Sequence, residues 1–563
     1  MRQESAALIR TPIEQETPPP PSRSERLRTL GSEAFDVLII GGGVTGTGAA
    51  RDAALRGLRV ALVEREDFAS GTSSRSSRLI HGGVRYLEHG HLGLVFESSI
   101  ERMRLLRLAP HLVRPLAFTW PVYKGARIPR WKLNAGLMLY DALALFRNVK
   151  GHQGLNARRT LEAEPGLLPD GLTGGARYYD AATDDARLTF ANALGASEAG
   201  AVILNHASVR RLVLEEGKAR GAVVVDHLSG QELTVRAKVL VNATGPWSDE
   251  IRKLDATGET HAVRGSKGVH IAVPRERVGN REALTLLSPL DGRVMFILPA
   301  GKHAIIGTTE TSTRAHPAEV RANEKDVEYL LASANAFFPQ AQLVRSDVVS
   351  AWAGIRPLVA RGYSGGGDAG SASREHAIDL SPSGVLAISG GKLTTYRVMA
   401  RDVVNAVEHQ LGGPHRKTIT ETLPLPGGDL PSFDAGLQAA LPEVGHAEVA
   451  QHLVRAYGSR WRQVWALTRA EASLAGPLVE GLPYLRAEAA YGVTHEFVHT
   501  LADLLIRRLK VAFETRDQGA EAARAAAEVM APRLGWDAAE TQRQLEAYSQ
   551  DAGRIFNVDP AEG

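Results

Sequence analysis

The stretch FDVLIIGGGVTGTGAARDAALRGLRVALVE, Phe35 to Glu64, decides the fold of this chain. It begins with an apolar run, continues at once into glycines, and then places alanines and leucines at helical spacing. A second apolar run ends at Glu64. The pattern predicts a strand, a tight turn, a helix and a second strand, the unit that opens a dinucleotide-binding domain.

The glycines of this unit have separate physical tasks. Gly41, Gly43 and Gly46 form G-x-G-x-x-G between the strand and the helix, and Glu64 follows about 20 residues later. The first glycine permits the turn, the second lets the backbone approach a pyrophosphate, and the third allows close helix packing. The phosphates would then lie at the helix N-terminus, and Glu64 would accept hydrogen bonds from the ribose hydroxyls.

Two later turns favour FAD over NAD as the dinucleotide. KVLVNATGPWSDE predicts a strand that ends at Ala243 and Gly245, and GVLAISGGKLTTYR predicts a strand, a turn at Gly391 and a helix start. Both turns could bring backbone close to one extended cofactor. The chain contains no cysteine, so a bound organic cofactor would have to hold the electrons of any redox reaction.

The segment TSSRSSRLIHGGVRYLE, residues 72–88, combines hydroxyl groups with two adjacent glycines. Because a flavin ring is flat, backbone without side chains at Gly82 could lie against it, while Arg85 and Tyr86 would project near its reactive face. The hydroxyls and Arg78 could bind the diphosphate and the ribitol. Outside the first glycine motif, the predicted cofactor contacts are Thr72, Ser73, Ser76, Ser77, Arg78, Leu79, His81, Gly82, Ala243, Gly245, Gly391, Lys392, Leu393 and Thr394.

Composition excludes several classes of protein. The excess of 66 Lys+Arg over 63 Asp+Glu, a formal net charge of +3, is too small to indicate a nucleic-acid-binding protein. No apolar run approaches the roughly 20 residues of a membrane-spanning helix, and the N-terminus lacks the apolar core of a signal peptide. We therefore expect a cytoplasmic protein, without a metal site.

The order of predicted elements indicates an α/β fold, α+β overall. We expect a disordered polar tail at residues 1–33 and, at residues 34–425, a Rossmann-like FAD-binding domain interwoven with a mixed-sheet substrate domain. A Pro/Gly-rich linker then leads to alanine- and leucine-rich helical sequence. This last part, residues 426–563, is predicted to form a C-terminal helical cap domain.

Six motifs, taken in order and spacing, resemble the FAD-dependent, quinone-linked glycerol-3-phosphate dehydrogenases. They are TSSRSSRLIHGGVRYLE, YYDAATDDARL, NATGPWSD, WAGIRPL, SREH and GGKLTTYR. The C-terminal sequence from YGVTHEFVHTLADLLIRRLKVAF onward resembles that family's helical cap. The resemblance implies oxidation of sn-glycerol 3-phosphate to dihydroxyacetone phosphate, with hydride transfer from C2 to FAD N5.

A substrate phosphate needs cations with hydrogen-bonding geometry, and arginine provides this best. Arg85, Arg356, Arg374 and Lys392 all lie in the matching motifs, and similarity to the family favours Arg356 and Arg374 for the phosphate. Tyr86 and His270 complete the predicted substrate contacts.

Oxidation of the C2 hydroxyl also requires a proton acceptor, and a neutral histidine is the usual one. His270 resembles the histidine of the family's glycine-serine-histidine segment, although Lys267-Gly268-Val269 separates it here from Ser266. Arg356 stays open as the alternative acceptor or polariser. The predicted catalytic residues are therefore His270, Arg356, Arg85 and Tyr86.

The resemblance further implies a membrane quinone as electron acceptor and a peripheral position on the inner face of the cell membrane. SIERMRLLRLAPHLVRPLAF and RIPRWKLNAGLMLYDALALFRNVK mix arginines with large apolar residues, as a membrane-surface helix does, but each could equally be a buried helix. Two other functions stay open: an oxidase that passes electrons to oxygen and makes peroxide, and a non-catalytic sensor that binds FAD and phosphate. A homodimer is also possible.

Overall fold

The computed structural model describes residues 17–255, 264–313, 315–358 and 376–561. Its strands are β1 Ala34–Ile40, β2 Val60–Val63, β3 Leu79–Ile80, β4 Val113–Tyr123, β5 Gln153–Asn156, β6 Leu172–Thr183, β7 Val202–Leu204, β8 Ala207–Glu215, β9 Lys218–Asp226, β10 Glu232–Asn242, β11 Arg264–Pro274, β12 Ala283–Leu287, β13 Val294–Ala300, β14 His303–Gly307, β15 Thr311–Thr313, β16 Ala322–Asn323, β17 Ser350–Leu358, β18 His376–Leu380, β19 Leu386–Gly390 and β20 Val558–Asp559.

The α-helices are α1 Arg23–Ser32, α2 Val44–Leu55, α3 Leu92–Leu108, α4 Arg130–Leu143, α5 Ala157–Ala163, α6 Asp185–Glu198, α7 Ser248–Leu254, α8 Arg275–Val278, α9 Glu324–Phe337, α10 Tyr396–Leu411, α11 Phe433–Val444, α12 Ala447–Tyr457, α13 Trp461–Ala470, α14 Arg486–His495, α15 Val511–Glu514, α16 Ala520–Leu534 and α17 Ala538–Phe556. A π-helical turn spans Asp503–Arg508.

The first sheet has the dinucleotide-binding topology that the opening stretch predicts. Its main path runs β18-β19-β10-β1-β2-β7, with the β8–β9 hairpin paired to β10. β1 is parallel to both β10 and β2, and α2 forms the crossover between β1 and β2. The apolar strand residues are buried because helices α2, α6 and α10 cover one face of this sheet.

The second sheet is mixed and largely antiparallel, in the order β15-β11-β14-β13-β12-β4-β6-β3, with β17 paired to β11 and β5 to β6. Its strands come from two separate parts of the chain, before β7 and after β10. The predicted interweaving of a cofactor domain with a mixed-sheet substrate domain is therefore confirmed. Residues 72–86 follow β2 of the first sheet and include β3 of the second, so they connect the two sheets.

Helices α11 to α17 follow the Pro/Gly-rich linker, within the region predicted to form the cap. Their core is continuous with that of the second sheet, because Phe513 packs edge-on against Trp352 of β17 with ring centroids 5.1 Å apart. Buried charges also join this region to the first sheet. Asp67, just beyond β2, accepts hydrogen bonds from Arg507 at 2.7 Å and from Arg508 at 2.7 and 3.0 Å.

The prediction of a disordered tail over residues 1–33 is wrong for its last part. Residues 23–32 form α1, and Leu30 is fully buried in the core beneath the first sheet. Ser22 and Glu25 form a capping box at the helix start, which satisfies exposed N–H groups there. Residues 1–16 lie outside the described residues.

Candidate functional site

A cavity of about 320 Å³ opens at the carboxyl ends of β1, β2, β10 and β19. In open sheets of parallel strands, ligands bind at this edge. The predicted cofactor residues that line the cavity are Gly41, Gly43, Glu64, Thr72, Ser73, Ala243, Gly245, Gly391, Lys392 and Leu393. The sequence motifs that predict a dinucleotide site therefore converge, although they are hundreds of residues apart.

The first glycine turn has no room for side chains. Gly41 has φ of +110°, a conformation that favours glycine, and a Cβ there would lie 2.7 Å from the carbonyl oxygen of Ala243. A Cβ on Gly46 would lie 1.9 Å from the carbonyl oxygen of Gly41. The third glycine therefore allows the first turn of α2 to pack directly on the backbone of Gly41. The N-terminus of α2 thus faces the cavity, where its free N–H groups favour phosphate. These residues fit the pyrophosphate of FAD.

Glu64 lies just after β2, at the position where the sequence predicts a residue that accepts hydrogen bonds from the ribose hydroxyls. Its carboxylate accepts a hydrogen bond of 2.6 Å from the Gly42 N–H and one of 2.9 Å from the Glu66 N–H. Burial raises the pKa of the Glu64 carboxyl above its ordinary value. Because each carboxylate oxygen can accept more than one hydrogen bond, Glu64 is oriented by the backbone and can still receive ribose hydroxyls.

The second glycine turn is tied to the residues that follow β3. Gly390 and Gly391 have φ of +77° and +80°, and a Cβ on Gly391 would lie 2.2 Å from the Met399 sulfur. The Thr394 hydroxyl accepts a hydrogen bond of 3.1 Å from the His81 N–H and donates one of 3.2 Å to the His81 carbonyl. These two hydrogen bonds therefore fix Thr394 and His81, both predicted cofactor contacts, relative to each other.

The interior side of Gly82 is too crowded for a side chain at this position. Its N–H faces the Tyr140 hydroxyl at 2.8 Å and an Asp180 oxygen at 3.2 Å, and a Cβ would lie 2.3 Å from the Tyr140 oxygen. Tyr140 donates to Asp180 at 2.7 Å, and Arg102 pairs with the same carboxylate. This buried network fixes the His81-Gly82-Gly83 backbone from behind, a role that the sequence does not reveal.

Lys392 and Tyr86 meet beside this backbone. The Lys392 Nζ lies 3.6 Å from the centre of the Tyr86 ring, within cation–π range, and Tyr86 is buried. Lys392 also lines the cavity. The structure thus brings together two of the predicted substrate contacts.

His270 lies on β11, with only 3% of its surface exposed. Its Nε2 is 2.9 Å from the Ser77 hydroxyl, and its ring stacks on Trp352 at 5.5 Å with an interplanar angle of 13°. Burial, followed by the charges of Arg356 and Arg78, lowers the pKa of His270 to about 3. The imidazole is therefore neutral near pH 7, the form that accepts a proton.

Arg356 shares the sheet face of His270, because β17 pairs with β11 so that Ser266 lies opposite Arg356 and His270 opposite Trp352. The Arg356 guanidinium lies 3.3 Å from the Thr308 hydroxyl and 4.0 Å from Glu310. Gly268 makes room for it, since a Cβ there would lie 2.8 Å from Nη2. The guanidinium therefore stands on the same surface as the imidazole.

Residues 72–86 connect these groups. The Thr72 hydroxyl donates to the carbonyl of Ile355, next to Arg356, at 2.7 Å. Ser77 contacts His270, and Tyr86 contacts Lys392. The histidine and the lysine therefore contact a single segment that borders the cavity, and the same segment is hydrogen-bonded to the strand that carries the arginine.

Some predicted contacts lie elsewhere. The Ser76 hydroxyl donates to Asp185 at 2.8 Å, and the Arg78 guanidinium lies over the rings of Trp352 and Phe513. Leu79 is buried in the second sheet, opposite Ala182. These three do not line the cavity. Arg374 and the side chain of Arg85 lie outside the described residues.

The structure adds residues that the sequence prediction missed. Ser208 and Val209 of β8 and the Trp247 indole line the cavity, and Thr308 contacts Arg356. Trp247 and Thr308 do belong to motifs visible in the sequence, NATGPWSD and HAIIGTTE. Ser208 and Val209 carry no local signal, because their position depends on the pairing of β8 with β9.

Two family models match the chain. The FAD-dependent oxidoreductase model covers residues 36–397, and the model of the C-terminal domain of alpha-glycerophosphate oxidase covers residues 418–541. The first match includes both glycine turns, and the second includes most of the helices predicted to form the cap.

Curated relatives match almost the whole chain. Glycerol-3-phosphate dehydrogenase 2 of Mycobacterium tuberculosis is 42% identical over 545 residues, 94% of this chain and 90% of the relative. The mitochondrial glycerol-3-phosphate dehydrogenase of Homo sapiens is 41% identical over 572 residues, 96% of this chain and 76% of the relative.

Solved structures agree with the fold. The glycerol-3-phosphate dehydrogenase of Bacillus halodurans complexed with FAD has a TM-score of 0.79 and 32% identity, over 96% of this chain and 98% of the other. The L-alpha-glycerophosphate oxidase of Mycoplasma pneumoniae with FAD has a TM-score of 0.54 and 18% identity, over 70% of this chain and 99% of the other. At that identity, the second match shows the fold alone.

Proposed function

Because this chain belongs to the FAD-dependent glycerol-3-phosphate dehydrogenase family, we propose that it oxidises sn-glycerol 3-phosphate to dihydroxyacetone phosphate and passes the electrons to a membrane quinone. The observation that carries the proposal is that residues 72–86, beside the cavity, contact His270, Lys392 and the strand that carries Arg356. A site that only binds a phosphate has no need of a buried neutral histidine next to its cations.

Each of these side chains has a task in the reaction. Arg356 supplies a planar fork for the substrate phosphate, and Lys392 adds charge at the cavity wall. We assign Arg374 and Arg85 to the same phosphate from their motifs. His270 accepts the C2 hydroxyl proton at Nε2, the nitrogen that faces Ser77. The two glycine turns and Glu64 would hold FAD, which would supply the acceptor for the C2 hydride.

The defining experiment is anaerobic mixing of the purified yellow protein with sn-glycerol 3-phosphate. We expect the flavin absorbance to bleach, with one dihydroxyacetone phosphate formed per flavin. Glycerol without the phosphate is the matched control and should bleach the flavin far more slowly, because it lacks the group that Arg356 binds. A flavin spectrum unchanged by the substrate would instead support the non-catalytic sensor.

The electron acceptor is tested on the reduced protein. We expect a quinone analogue to restore the flavin absorbance much faster than air-saturated buffer does. Rapid reoxidation by air with stoichiometric peroxide would favour the oxidase. The TM-score of 0.54 with the Mycoplasma oxidase does not bear on this choice, since it reflects the fold alone.

An exposed apolar surface supports a membrane acceptor. It is formed by α3, α4 and the segment after α4, and we name it the apolar platform; its residues are Leu92, Phe96, Trp131, Met138, Leu139, Leu145, Phe146 and Val149. Trp131 and Phe146 are each 74% exposed. Exposed cations flank them at Lys132, Arg147 and Lys150. Among the described helices, none combines the length and apolarity needed to cross a bilayer.

The platform bears on an alternative that the sequence left open, because the outer face of α4 is exposed and its inner face is buried. That inner face carries Tyr140, whose hydroxyl contacts the Gly82 N–H at 2.8 Å. One helix, about 10 Å in diameter, therefore separates the platform from the glycine segment beside the site. Large apolar side chains with neighbouring cations are typical of a helix lying on an anionic membrane.

The double substitution Trp131→Ser, Phe146→Ser is expected to weaken binding to vesicles of anionic phospholipid by about tenfold or more, because it removes the two most exposed aromatic rings. Substrate-dependent bleaching in solution should be retained. The control is Leu290→Ser, Leu380→Ser, which removes exposed leucines outside the platform. Co-sedimentation with vesicles measures the effect, and equal binding by both double variants would exclude the platform as the membrane surface.

A further inference from the structure

One face of the second sheet runs from His270 to a cleft at the cap. In the antiparallel pairing, His270 lies opposite both Gly307 of β14 and Trp352 of β17, and Pro274 lies opposite His303. His270 and Pro274 are four residues apart on one strand, so their side chains share a face. The same face therefore carries His303, about 13 Å along the strand direction from His270 and beyond the opposed pair Ala272 and Ile305.

Polar atoms on this face, and on Arg78 packed against it, are buried and have no hydrogen-bond partner among the described residues. They are His270 Nδ1, Trp352 Nε1, Arg78 Nε and Nη2, and His303 Nδ1. The Arg78 guanidinium carbon lies 5.3 Å from the Trp352 ring, and that ring stacks on His270 at 5.5 Å. Buried polar groups in native proteins are almost always satisfied, and internal water is the usual partner when protein atoms are not.

The far end of this row opens into a cleft of about 1080 Å³ between the second sheet and the C-terminal helices. His303 and Glu514 both line the cleft, and both are partly exposed. The Tyr484 hydroxyl donates to Glu514 at 2.9 Å, which orients the carboxylate. Glu514 directly follows Phe513, whose ring lies 4.7 Å from the Arg78 guanidinium carbon. The row of polar atoms thus ends at two groups that can exchange protons with solvent.

We propose that internal water along this row carries the substrate's hydroxyl proton from His270 to the cleft, with His303 and Glu514 as the exit groups. The proposal rests on the proposed function, because it takes its proton from that reaction. The C2–H bond breaks with its electron pair going to FAD, the O–H bond breaks with its electrons forming the carbonyl, and the proton binds His270 Nε2. The opposite nitrogen, Nδ1, then releases a proton to the water row, and solvent receives it at the cleft.

The charges along the row favour this direction. Burial and the charges of Arg356 and Arg78 lower the pKa of His270 to about 3, so the proton leaves it readily. Burial raises the pKa of Glu514, although the hydrogen bond from Tyr484 and the charge of Arg78 oppose that shift. Burial and the charges of Arg78, Arg516 and Lys302 lower the pKa of His303, which therefore relays protons instead of retaining them.

The test compares two rates in the holoenzyme. A stopped-flow experiment in weak buffer records flavin bleaching by sn-glycerol 3-phosphate and, with a pH indicator, the appearance of protons. In the wild type the two should coincide. In His303→Gln, Glu514→Gln, we expect proton release to lag bleaching by about tenfold or more, with substrate affinity unchanged. Millimolar imidazole, a small diffusible buffer, should remove the lag.

The matched control is Glu480→Gln, an exposed acid of the same cleft that is not on the sheet face. It should release protons as the wild type does. A high-resolution crystal structure gives a readout independent of turnover, and ordered waters should contact His270 Nδ1 and His303 Nδ1. If proton release and flavin bleaching coincide in the double variant, or if the crystal shows no ordered water along the row, the proposed exit route would be wrong. Absence of bleaching in the wild type would instead refute the proposed function.

Discussion

Replacing Gly46 by alanine is expected to leave the protein without bound FAD. The new Cβ would lie 1.9 Å from the carbonyl oxygen of Gly41, far closer than side chains approach backbone. Neither partner can move alone, because Gly41 is held against Ala243 and Gly46 lies in the first turn of α2. Separating them moves the helix N-terminus by about 1 Å or more from the pyrophosphate position, and such displacements are costly in pre-formed sites.

The ratio of flavin to protein absorbance after purification measures this effect. We expect a loss of about tenfold or more, with the circular dichroism of a folded protein and no recovery when micromolar FAD is added. Gly93→Ala is the control, because Gly93 is also in the first turn of a helix and a Cβ there meets nothing within 4 Å. A yellow Gly46→Ala protein with full flavin content would show that the turn does not hold the cofactor.

The glycine turns could be predicted from sequence because their requirements are local. Gly41 and Gly46 are five residues apart, and the strand, turn and helix they join are contiguous. The helix α1 also had a local signal, the capping box of Ser22 and Glu25, but the run of prolines just before it favoured disorder. The capping box determines the local structure here, whatever the composition of the preceding prolines.

Other features of the site depend on contacts between distant residues. Gly82 is fixed by Tyr140, 58 residues away, and Asp67 by Arg508, 441 residues away. Buried pairs of this kind leave no periodicity in either segment. The position of Arg78 is of the same kind, since nothing near it in sequence indicates that Trp352 and Phe513 will lie beneath its guanidinium.

Replacing His270 by glutamine should slow flavin reduction by sn-glycerol 3-phosphate by about 100- to 10,000-fold, the usual contribution of a positioned general base. Glutamine can keep a hydrogen bond to Ser77 but cannot accept the hydroxyl proton at neutral pH. FAD content should be unchanged, because His270 does not line the cavity. Substrate affinity should change little if Arg356 still binds the phosphate.

The size of this loss in rate indicates whether His270 or Arg356 accepts the proton. An arginine surrounded by solvent or acids stays protonated, and Arg356 lies 4.0 Å from Glu310, so its guanidinium is suited to binding charge and not to accepting a proton. Anaerobic stopped-flow reduction measures the rate, and His409→Gln, an exposed histidine near the end of α10, is the control. A His270→Gln enzyme within threefold of the control would mean that the proton goes elsewhere, and Arg356→Lys would then be the variant expected to lose the rate.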